Sequence, residues 1–398
     1  MTPDPVPFDL AVIGAGIVGA SIAWHAAPRA RVLLLEAEPA PGMHTTGRSA
    51  ALFAEGYGPP MVRSLTRASR PFFAAPPAGF SPVPLWHPRG ALFVGPESAR
   101  SEAHALHGSL LHDGIDARML TATEVLARVP VLKPDAAAVG VLDPGAADLD
   151  VDALLQGFLR GARAAGAVLA CDARLAELRQ PGGGEDSPWG LTTEDGRHFT
   201  ARRVVNAAGA WGDAVAALAG VEPVGLEPRR RSAFVFDPPA GQDTAGWPAV
   251  IALDESWYFK PDAGLLLGSP ANADPVHAHD VMPEEWDVAL GIHRIEAAST
   301  LAIRRPRRTW AGLRCFVADG EPVCGPDDGA RGFVWAAAVG GYGIQSAPAF
   351  GRLAAALALG EPVPADLLAL GLDVAALAAA RCRPGVSSAS ACPPSGRT

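Results

Sequence analysis

The run Gly14-Ala-Gly16-Ile-Val-Gly19 constrains this chain more than any other stretch. Residues 8–13 before it form a short β-type run, and residues 15–27 continue as an apolar helix. A second apolar run, residues 31–35, ends in Glu36. Strand, tight turn, helix and strand within about 30 residues predict a βαβ unit with a buried parallel pair. Each glycine has a separate task. Gly14 permits the tight turn, Gly16 lets the backbone approach a pyrophosphate, and Gly19 packs the helix on the sheet so that its N-terminus faces the anion. Glu36 ends the second strand about 20 residues on, where a carboxylate accepts from ribose hydroxyls and repels a 2′-phosphate. The reading is therefore a dinucleotide site.

Further along, the pattern alternates. Short strands are predicted within residues 82–95, and a helix over 97–112. Thr121-Ala-Thr-Glu124 reads as a capping box, and a strong amphipathic helix over 150–165 has Asp150 as its N-cap. Strands are predicted at 168–170 and 174–178, a surface turn at 181–186, a hairpin at 191–199 and one more buried strand at 203–206. Successive antiparallel strands follow at 229–236, 250–253, 256–260 and 265–267, then a helix over 283–300. The chain returns to a buried strand at 333–338 and a glycine turn, Gly340-Gly-Tyr-Gly343, that opens a helix over 344–359. The predicted fold is α/β plus β: a discontinuous Rossmann-type (glutathione-reductase-like) nucleotide domain with an inserted antiparallel β-sheet domain. The first takes residues 1–80, 148–225 and 319–380, the second 81–147 and 226–318. Residues 381–398 read as a disordered tail.

The glycine turns bear on the choice between FAD and NAD. An NAD dehydrogenase of 398 residues ordinarily follows its Rossmann unit with a catalytic domain carrying a His or Lys near the substrate carbonyl. This chain sends later glycine turns back to the nucleotide fold instead: Asn206-Ala-Ala-Gly-Ala-Trp211 and Gly340-Gly-Tyr-Gly343. A second helix N-terminus at the latter suits a flavin ring, which becomes anionic on reduction. These features favour FAD.

The motifs carry a resemblance. Gly14-Ala-Gly-Ile-Val-Gly19, Glu36, Pro41-Gly-Met-His-Thr-Thr-Gly-Arg-Ser49 and Asn206-Ala-Ala-Gly-Ala-Trp211 resemble the D-amino acid oxidase superfamily of FAD enzymes. Arg230-Arg-Ser-Ala-Phe234, Leu253-Asp-Glu-Ser-Trp-Tyr258, Lys260-Pro-Asp-Ala-Gly264, Gly268-Ser-Pro-Ala-Asn-Ala-Asp-Pro275, Thr309-Trp-Ala-Gly-Leu-Arg314, Phe316-Val-Ala-Asp-Gly320 and Gly340-Gly-Tyr-Gly-Ile-Gln345 are similar, more narrowly, to bacterial D-arginine dehydrogenases. The resemblance runs from about residue 9 to about residue 373.

It implies FAD held without a covalent bond by Gly14, Gly16, Ile17, Val18, Gly19, Glu36 and Ala37, and by His44, Thr45, Thr46, Gly47, Arg48, Ser49 and Ala50. Leu175, Ala207, Ala208, Gly209 and Trp211 complete the nucleotide half, and Gly340, Gly341, Tyr342, Gly343, Ile344 and Gln345 meet the ring. It also implies that a D-amino acid is oxidised by hydride transfer from Cα to flavin N5, giving a 2-oxo acid and ammonia. Arg231 and Arg314 match the family's carboxylate-binding arginines, and a guanidinium fork meets a carboxylate bidentately. Tyr57 and Tyr258 match its substrate-side tyrosines, and the Gly341 carbonyl would receive the amine. Residues 49–58 would form a mobile lid.

Two departures matter. The carboxylate that reads a cationic side chain falls at Ala91, and a histidine near the substrate falls at Leu52. An unpaired cation against an apolar wall is costly, so apolar D-amino acids are expected to exceed D-Arg and D-Lys. Glu255 is the one candidate for a replacement carboxylate. No residue stands out as a general base, and His44 reads as a contact of the flavin loop. Cys315 lies out of register for covalent flavin. A glycine/sarcosine-type secondary-amine oxidase shares the flavin and the clamp, and readings of another class are an NAD-dependent dehydrogenase or a flavin-binding protein without turnover.

Charge and cysteine content narrow the partners. Of 33 basic residues only Lys133 and Lys260 are lysine, leaving 31 arginines against 42 acids and a net charge of -9. That balance gives no basic stripe for a phosphate backbone, which excludes nucleic acid as a partner. Cys171, Cys315, Cys324, Cys382 and Cys392 form no C-x-x-C pair, which suits a reducing compartment without a metal site. The N-terminal lead is acidic at Asp4 and Asp9 and lacks a basic n-region. The expectation is a cytoplasmic chain with no transmembrane segment, acting on a small molecule. No motif identifies the electron acceptor.

Overall fold

The computed structural model describes residues 6–180 and 187–383. One sheet contains β1 (Phe8–Ile13), β2 (Val32–Leu35), β9 (Val168–Ala170), β10 (Leu175–Arg179), β11 (Trp189–Thr193), β12 (His198–Asn206), β19 (Val323–Pro326) and β20 (Phe333–Ala337). Its order is β10-β11-β12-β1-β2-β9, with β20 on β12 and β19 on β20. The β9, β2, β1, β12 and β20 pairings are parallel, in register Leu10↔Val32, Val12↔Val205 and Val205↔Val334. Every residue of β2 and β20 is buried, as expected for parallel strands covered on both faces. The predicted hairpin and the strand at 203–206 are continuous: β12 spends its first half on β11 and its second on β20.

A second sheet contains β5 (Ala91–Gly95), β6 (Arg118–Thr121), β7 (Val139–Asp143), β13 (Glu227–Phe236), β14 (Ala249–Ala252), β15 (Tyr258–Asp262), β16 (Leu265–Ser269), β17 (Asp274–Pro275) and β18 (Arg308–Phe316). The order is β17-β13-β16-β15-β14-β5-β7-β6, with β18 on β13. The pairings are antiparallel apart from β14 with β5. A small third sheet, β3 (Leu52–Phe53), β8 (Ala147–Leu149) and β4 (Trp86–Pro88), bridges the two regions. The predicted caps are present: Thr121 Oγ1 accepts the Glu124 N–H while the Glu124 carboxylate accepts the Thr121 N–H, and Asp150 Oδ1 accepts the Ala153 N–H at 2.8 Å.

The helix Pro60–Ala74 has no counterpart in the sequence reading, which assigns nothing there. Its buried positions Val62, Leu65, Thr66, Ser69 and Phe73 recur at three and four residues, a helical stripe. Pro60 in the first turn costs nothing, and Pro71 falls in the last. At the C-terminus, residues 381–383, expected in the tail, are held in place. Arg381 Nε donates to Asp319 at 2.8 Å, and Arg383 bonds Asp327; residues 384–398, like the turn at 181–186, lie outside the described residues. Among the described residues no helix is long and apolar enough to cross a membrane.

The first helix, Ile17–Ala26, is buried around most of its circumference because the helix Gly343–Leu359 lies against it. A Cβ at Gly351 would come within 2.1 Å of Ser21 Oγ, so that glycine sets the approach distance. His25 ties the two helices, its Nε2 bonded to the Pro348 carbonyl at 3.0 Å. A carbonyl only accepts, so the ring carries its proton on Nε2. Burial, with Arg352 and Arg29 adding to it, lowers the His25 pKa from 6.5 to about 4. Above pH 6.5 the ring is neutral folded or unfolded; between 6.5 and about 4 only the unfolded chain takes the proton, so folding stability falls as pH falls. Allowing for the ring's residual exposure, the loss from pH 7 to 4.5 is about 2 kcal/mol. Chemical denaturation should show that loss in the native protein and not in His25→Gln.

Candidate active site

One cavity of about 460 Å³ runs from Glu36 and Leu175, past the C-terminal end of β1, to Tyr258 and Ile251 in the second sheet. Its nucleotide end is set by glycine. Gly14 sits at φ +99°, and a Cβ there would come within 2.5 Å of the Ala207 carbonyl oxygen. At Gly19 a Cβ would meet the Gly14 oxygen at 1.8 Å, so the third glycine serves packing and does not line the cavity. Thr46 Oγ1 accepts the Ile17 N–H at 3.0 Å, tying the 42–49 loop to the helix N-terminus. Glu36 is buried, and its two oxygens accept the Ala15 and Glu38 N–H groups at 2.8 and 3.1 Å. Each oxygen keeps a lone pair for a ribose hydroxyl. Asn206 donates to the Gly212 carbonyl and accepts from Ala208 N–H, which shapes the turn carrying Ala207, Ala208, Gly209 and Trp211. Ala37, Val18, Ser49, Ala50, Gly340, Gly343 and Ile344 also line the wall. This cradle, closed to any Cβ at Gly14 and floored by a helix N-terminus, fits an extended dinucleotide.

The 42–49 loop also fastens the two sheets together. Thr45 Oγ1 donates to the Leu313 carbonyl at 2.7 Å, and Arg48 donates to the Val281 and Ala311 carbonyls at 2.8 and 3.2 Å. Gly47 is packed on the Gly42 carbonyl, away from the cavity. His44 bonds Glu38 at 3.1 Å and packs on Trp211, as a loop contact rather than a free base.

At the other end the arginines converge. β13 and β18 pair with Arg231 opposite Gly312, so Arg314, two residues on, falls on the same face as Arg231. Arg231 Nε donates to the Asn272 carbonyl at 2.5 Å, and its guanidinium also meets the Tyr258 phenol. Arg314 Nη2 donates to Tyr57 Oη at 3.4 Å and lies over the rings of Phe316 and Tyr342. Among the described residues neither arginine has a carboxylate partner. Burial and then the Arg314 cation lower the Arg231 pKa. Burial also opposes the charge on Arg314, but the Tyr57 and Tyr342 phenols outweigh it and raise its pKa. An arginine does not give up its proton in either case, so two cations share one half-buried wall and call for an anion.

Gly341 explains itself. A Cβ there would lie 2.0 Å from Arg314 Nε and Nη2, so only glycine lets this guanidinium pass. Its carbonyl accepts no hydrogen bond among the described residues. The backbone before it is strained: Ala338 has φ 56°, and Ala51, Glu255 and Ala271, also on the cavity wall, lie at 58°, 55° and 53°. Left-handed non-glycine residues persist where surroundings over-determine the backbone, typically at functional sites.

Several expected positions move. Tyr342 does not line the cavity; it packs edge-on against Tyr57 at 5.0 Å, with burial pushing its pKa up to about 12. Gln345 lines it, but its amide is committed to Ala54 N–H, the Tyr57 carbonyl and Thr66, so it anchors the Tyr57 segment. The expected lid at 49–58 is tied down by that glutamine and by the pairing of Leu52 with Asp148. Ala91 is wholly buried among Ala54, Ala146, Tyr57, Phe93 and Ile251, and does not line the cavity. Phe93, two residues on and on the same strand face, does so beside Leu52. Glu255 stands exposed at the rim.

The sequence reading names Lys260 in a family-like motif but gives it no site role. It is buried on the cavity wall, its Nζ donating to Asp148 at 2.7 Å, while Arg89 Nε takes the other Asp148 oxygen at 2.6 Å. Its period-2 spacing from Tyr258 on one strand was the available signal. Cys315 also lines the cavity, and burial pushes its thiol pKa up to about 12.

Comparison with known proteins agrees with this geometry. The family model described as DAO, FAD dependent oxidoreductase, matches residues 9–357. The chain is 26% identical over 384 residues to rat (Rattus norvegicus) mitochondrial dimethylglycine dehydrogenase, covering 90% of this chain and 44% of that protein. It is 30% identical over 174 residues to bovine (Bos taurus) FAD-dependent oxidoreductase domain-containing protein 1, covering 39% and 35%. The chain thus spans less than half the length of these two relatives. N-methyl-L-tryptophan oxidase of Salmonella dublin is 23% identical, with 90% of this chain and 97% of that protein covered. Among solved structures, glycine oxidase from Geobacillus kaustophilus superposes with a TM-score of 0.78 at 22% identity, covering 96% of this chain and all of that one. L-proline dehydrogenase from P. horikoshii gives 0.79 at 22%, covering 95% and 98%. These last two likenesses establish the fold. The chain belongs to the DAO family of FAD dependent oxidoreductases, and its cofactor is FAD.

Proposed function

We propose that this chain oxidises the Cα–N bond of a D-amino acid, giving an imino acid that hydrolyses to a 2-oxo acid and ammonia. The observation that carries the reading is the convergence of Arg231 and Arg314, without carboxylate partners among the described residues, on one wall of the cofactor cavity. A bidentate guanidinium pair fixes both the position and the plane of an α-carboxylate. Tyr57 and Tyr258 add phenol donors, and the unshared Gly341 carbonyl accepts from the amine. Bound FAD supplies the hydride acceptor. The amine must be neutral when hydride leaves, and two nearby guanidinium cations lower its pKa without a dedicated base.

Leu52, Phe93 and Ile251 make the side-chain wall apolar, and the Lys260 ammonium is already paired with Asp148. An apolar wall disfavours a cationic side chain, so D-Leu, D-Met and D-Phe should exceed D-Arg and D-Lys, in contrast to the D-arginine dehydrogenases the motifs resemble. A second reading, an N-methyl or secondary-amine oxidase, is favoured by the likeness to dimethylglycine dehydrogenase and N-methyl-L-tryptophan oxidase. Anaerobic flavin bleaching against D-amino acids, N-methylglycine and N-methyl-L-amino acids separates the two, and admitting air then tests oxygen as acceptor. Bleaching by D-Leu at least tenfold faster than by D-Arg is expected. D-Arg ahead of D-Leu would overturn the side-chain preference, and bleaching by N-methyl substrates alone would overturn the D-amino acid reading.

A further inference from the structure

We infer that Asn272 is a positioning residue for Arg231, setting the plane of its guanidinium from behind the strand. The inference rests on the reading of Arg231 as a carboxylate clamp. Arg231 has one Nε–H on its stem, and that hydrogen goes to the Asn272 carbonyl at 2.5 Å. A planar guanidinium fixed at Nε has its Nη edge aimed by the same bond. What holds the carbonyl is the Asn272 side chain. Its Oδ1 accepts the Ser232 N–H at 2.8 Å, and its Nδ2 donates to Asp274 at 2.7 Å and Asp287 at 3.0 Å. These four bonds are directed at Arg231 itself, at the Ser232 backbone and at the carboxylates beside them.

The loop around it is shaped for the purpose. Ala271 is held left-handed at φ 53°, with its N–H donating to Ser269 Oγ at 3.0 Å. That hydroxyl in turn donates to the Ser232 carbonyl at 2.7 Å. Successive residues of a strand face opposite ways, so Arg231 faces the cavity while Arg230 and Ser232 face the helix Glu285–Ala298. There the buried Asp287 carboxylate accepts Arg230 Nε at 2.8 Å and Ser232 Oγ at 2.7 Å as well as the Asn272 amide. The Asp287 cluster thus grips the strand on both sides of Arg231, and Asn272 links it to the clamp. A guanidinium held this way does not have to give up rotamer freedom when the carboxylate arrives.

The test is a double-mutant cycle read by flavin absorbance, using D-leucine under anaerobic conditions and, as a ligand that is not oxidised, its 2-oxo acid. Asn272→Ala should weaken binding of both about tenfold while the limiting rate of flavin reduction changes less than threefold. In an Arg231→Met background the same change should weaken binding less than twofold, because the group being positioned is gone. Asn272→Asp is the second variant. It keeps the Oδ1 acceptor but sets a carboxylate against Asp274 and Asp287, and it should be no better than alanine. It carries the test if the alanine variant does not fold. An equal loss in both backgrounds would overturn the inference as a general structural effect, as would no loss in the native background. If Arg231→Met itself leaves affinity unchanged, the clamp reading fails; if it loses affinity and neither Asn272 variant does, the clamp stands and the positioning role alone falls.

Discussion

Arg231→Met should lower kcat/KM for the best D-amino acid by two to three orders of magnitude while the protein stays folded and yellow. Truncating one partner of a buried, charge-assisted pair costs about 3–4 kcal/mol, and most of it should appear as weaker substrate binding. Methionine keeps the stem's bulk, so the cavity wall is preserved. Arg231 sits on β13 in the second sheet, far along the cavity from the Gly14 turn, so flavin content should not change. Anaerobic single-turnover reduction measures the effect independently of the electron acceptor. Activity within threefold of the native protein would show that Arg231 does not hold the substrate. One cation would remain in Arg314, which is why the loss should be large and not total.

Gly14→Ala should abolish flavin binding. The added Cβ would lie 2.5 Å from the Ala207 oxygen and 3.0 Å from its carbonyl carbon, and both atoms are backbone. Alanine at φ +99° is strained in addition. Relief requires the Ala207–Ala208 turn to move away from the helix N-terminus, which opens the cradle. The purified protein should carry less than about a tenth of the native flavin, and its Tm should fall by several degrees because the ligand's stabilisation is lost. Gly79→Ala is the control. That glycine also has positive φ, +76°, but a Cβ there meets nothing within 4 Å. It should keep full flavin and show only the backbone strain. Equal flavin in both variants would mean that the Gly14 turn does not seat the cofactor.

The nucleotide half was legible because its signals are local. A glycine needed for φ, a helix N-cap and a carboxylate at a strand end are each specified by a few adjacent residues, and β1, the first helix and β2 follow the reading within two residues. The helix Pro60–Ala74 has no counterpart in the sequence reading, although both of its prolines occupy places where a helix tolerates them. Resemblance located the residues of the substrate end, but could not say which way they face. Ala91 shows the difference: it matches the family's selecting position, yet the β5 backbone sets it behind Ala54 and Tyr57 and leaves Phe93 at the wall. Gln345 and Tyr342 likewise belong to the Tyr57 and Arg314 surroundings more than to the cofactor.

By itself, the sequence determined that this chain binds a dinucleotide on a βαβ unit, because tight turns and helix ends are short-range geometry written in consecutive residues. Which of its 31 arginines are functional was not short-range. Arg231 and Arg314 stand 83 positions apart in the sequence. They become neighbours through the antiparallel register of β13 and β18, with Gly341 and Tyr57 packed around Arg314 and no carboxylate partner among the described residues. Register and burial are properties of the folded chain. They bring two arginines to one cavity wall, where we propose that they hold a carboxylate, and leave others, such as Arg48 and Arg89, as fasteners between sheets.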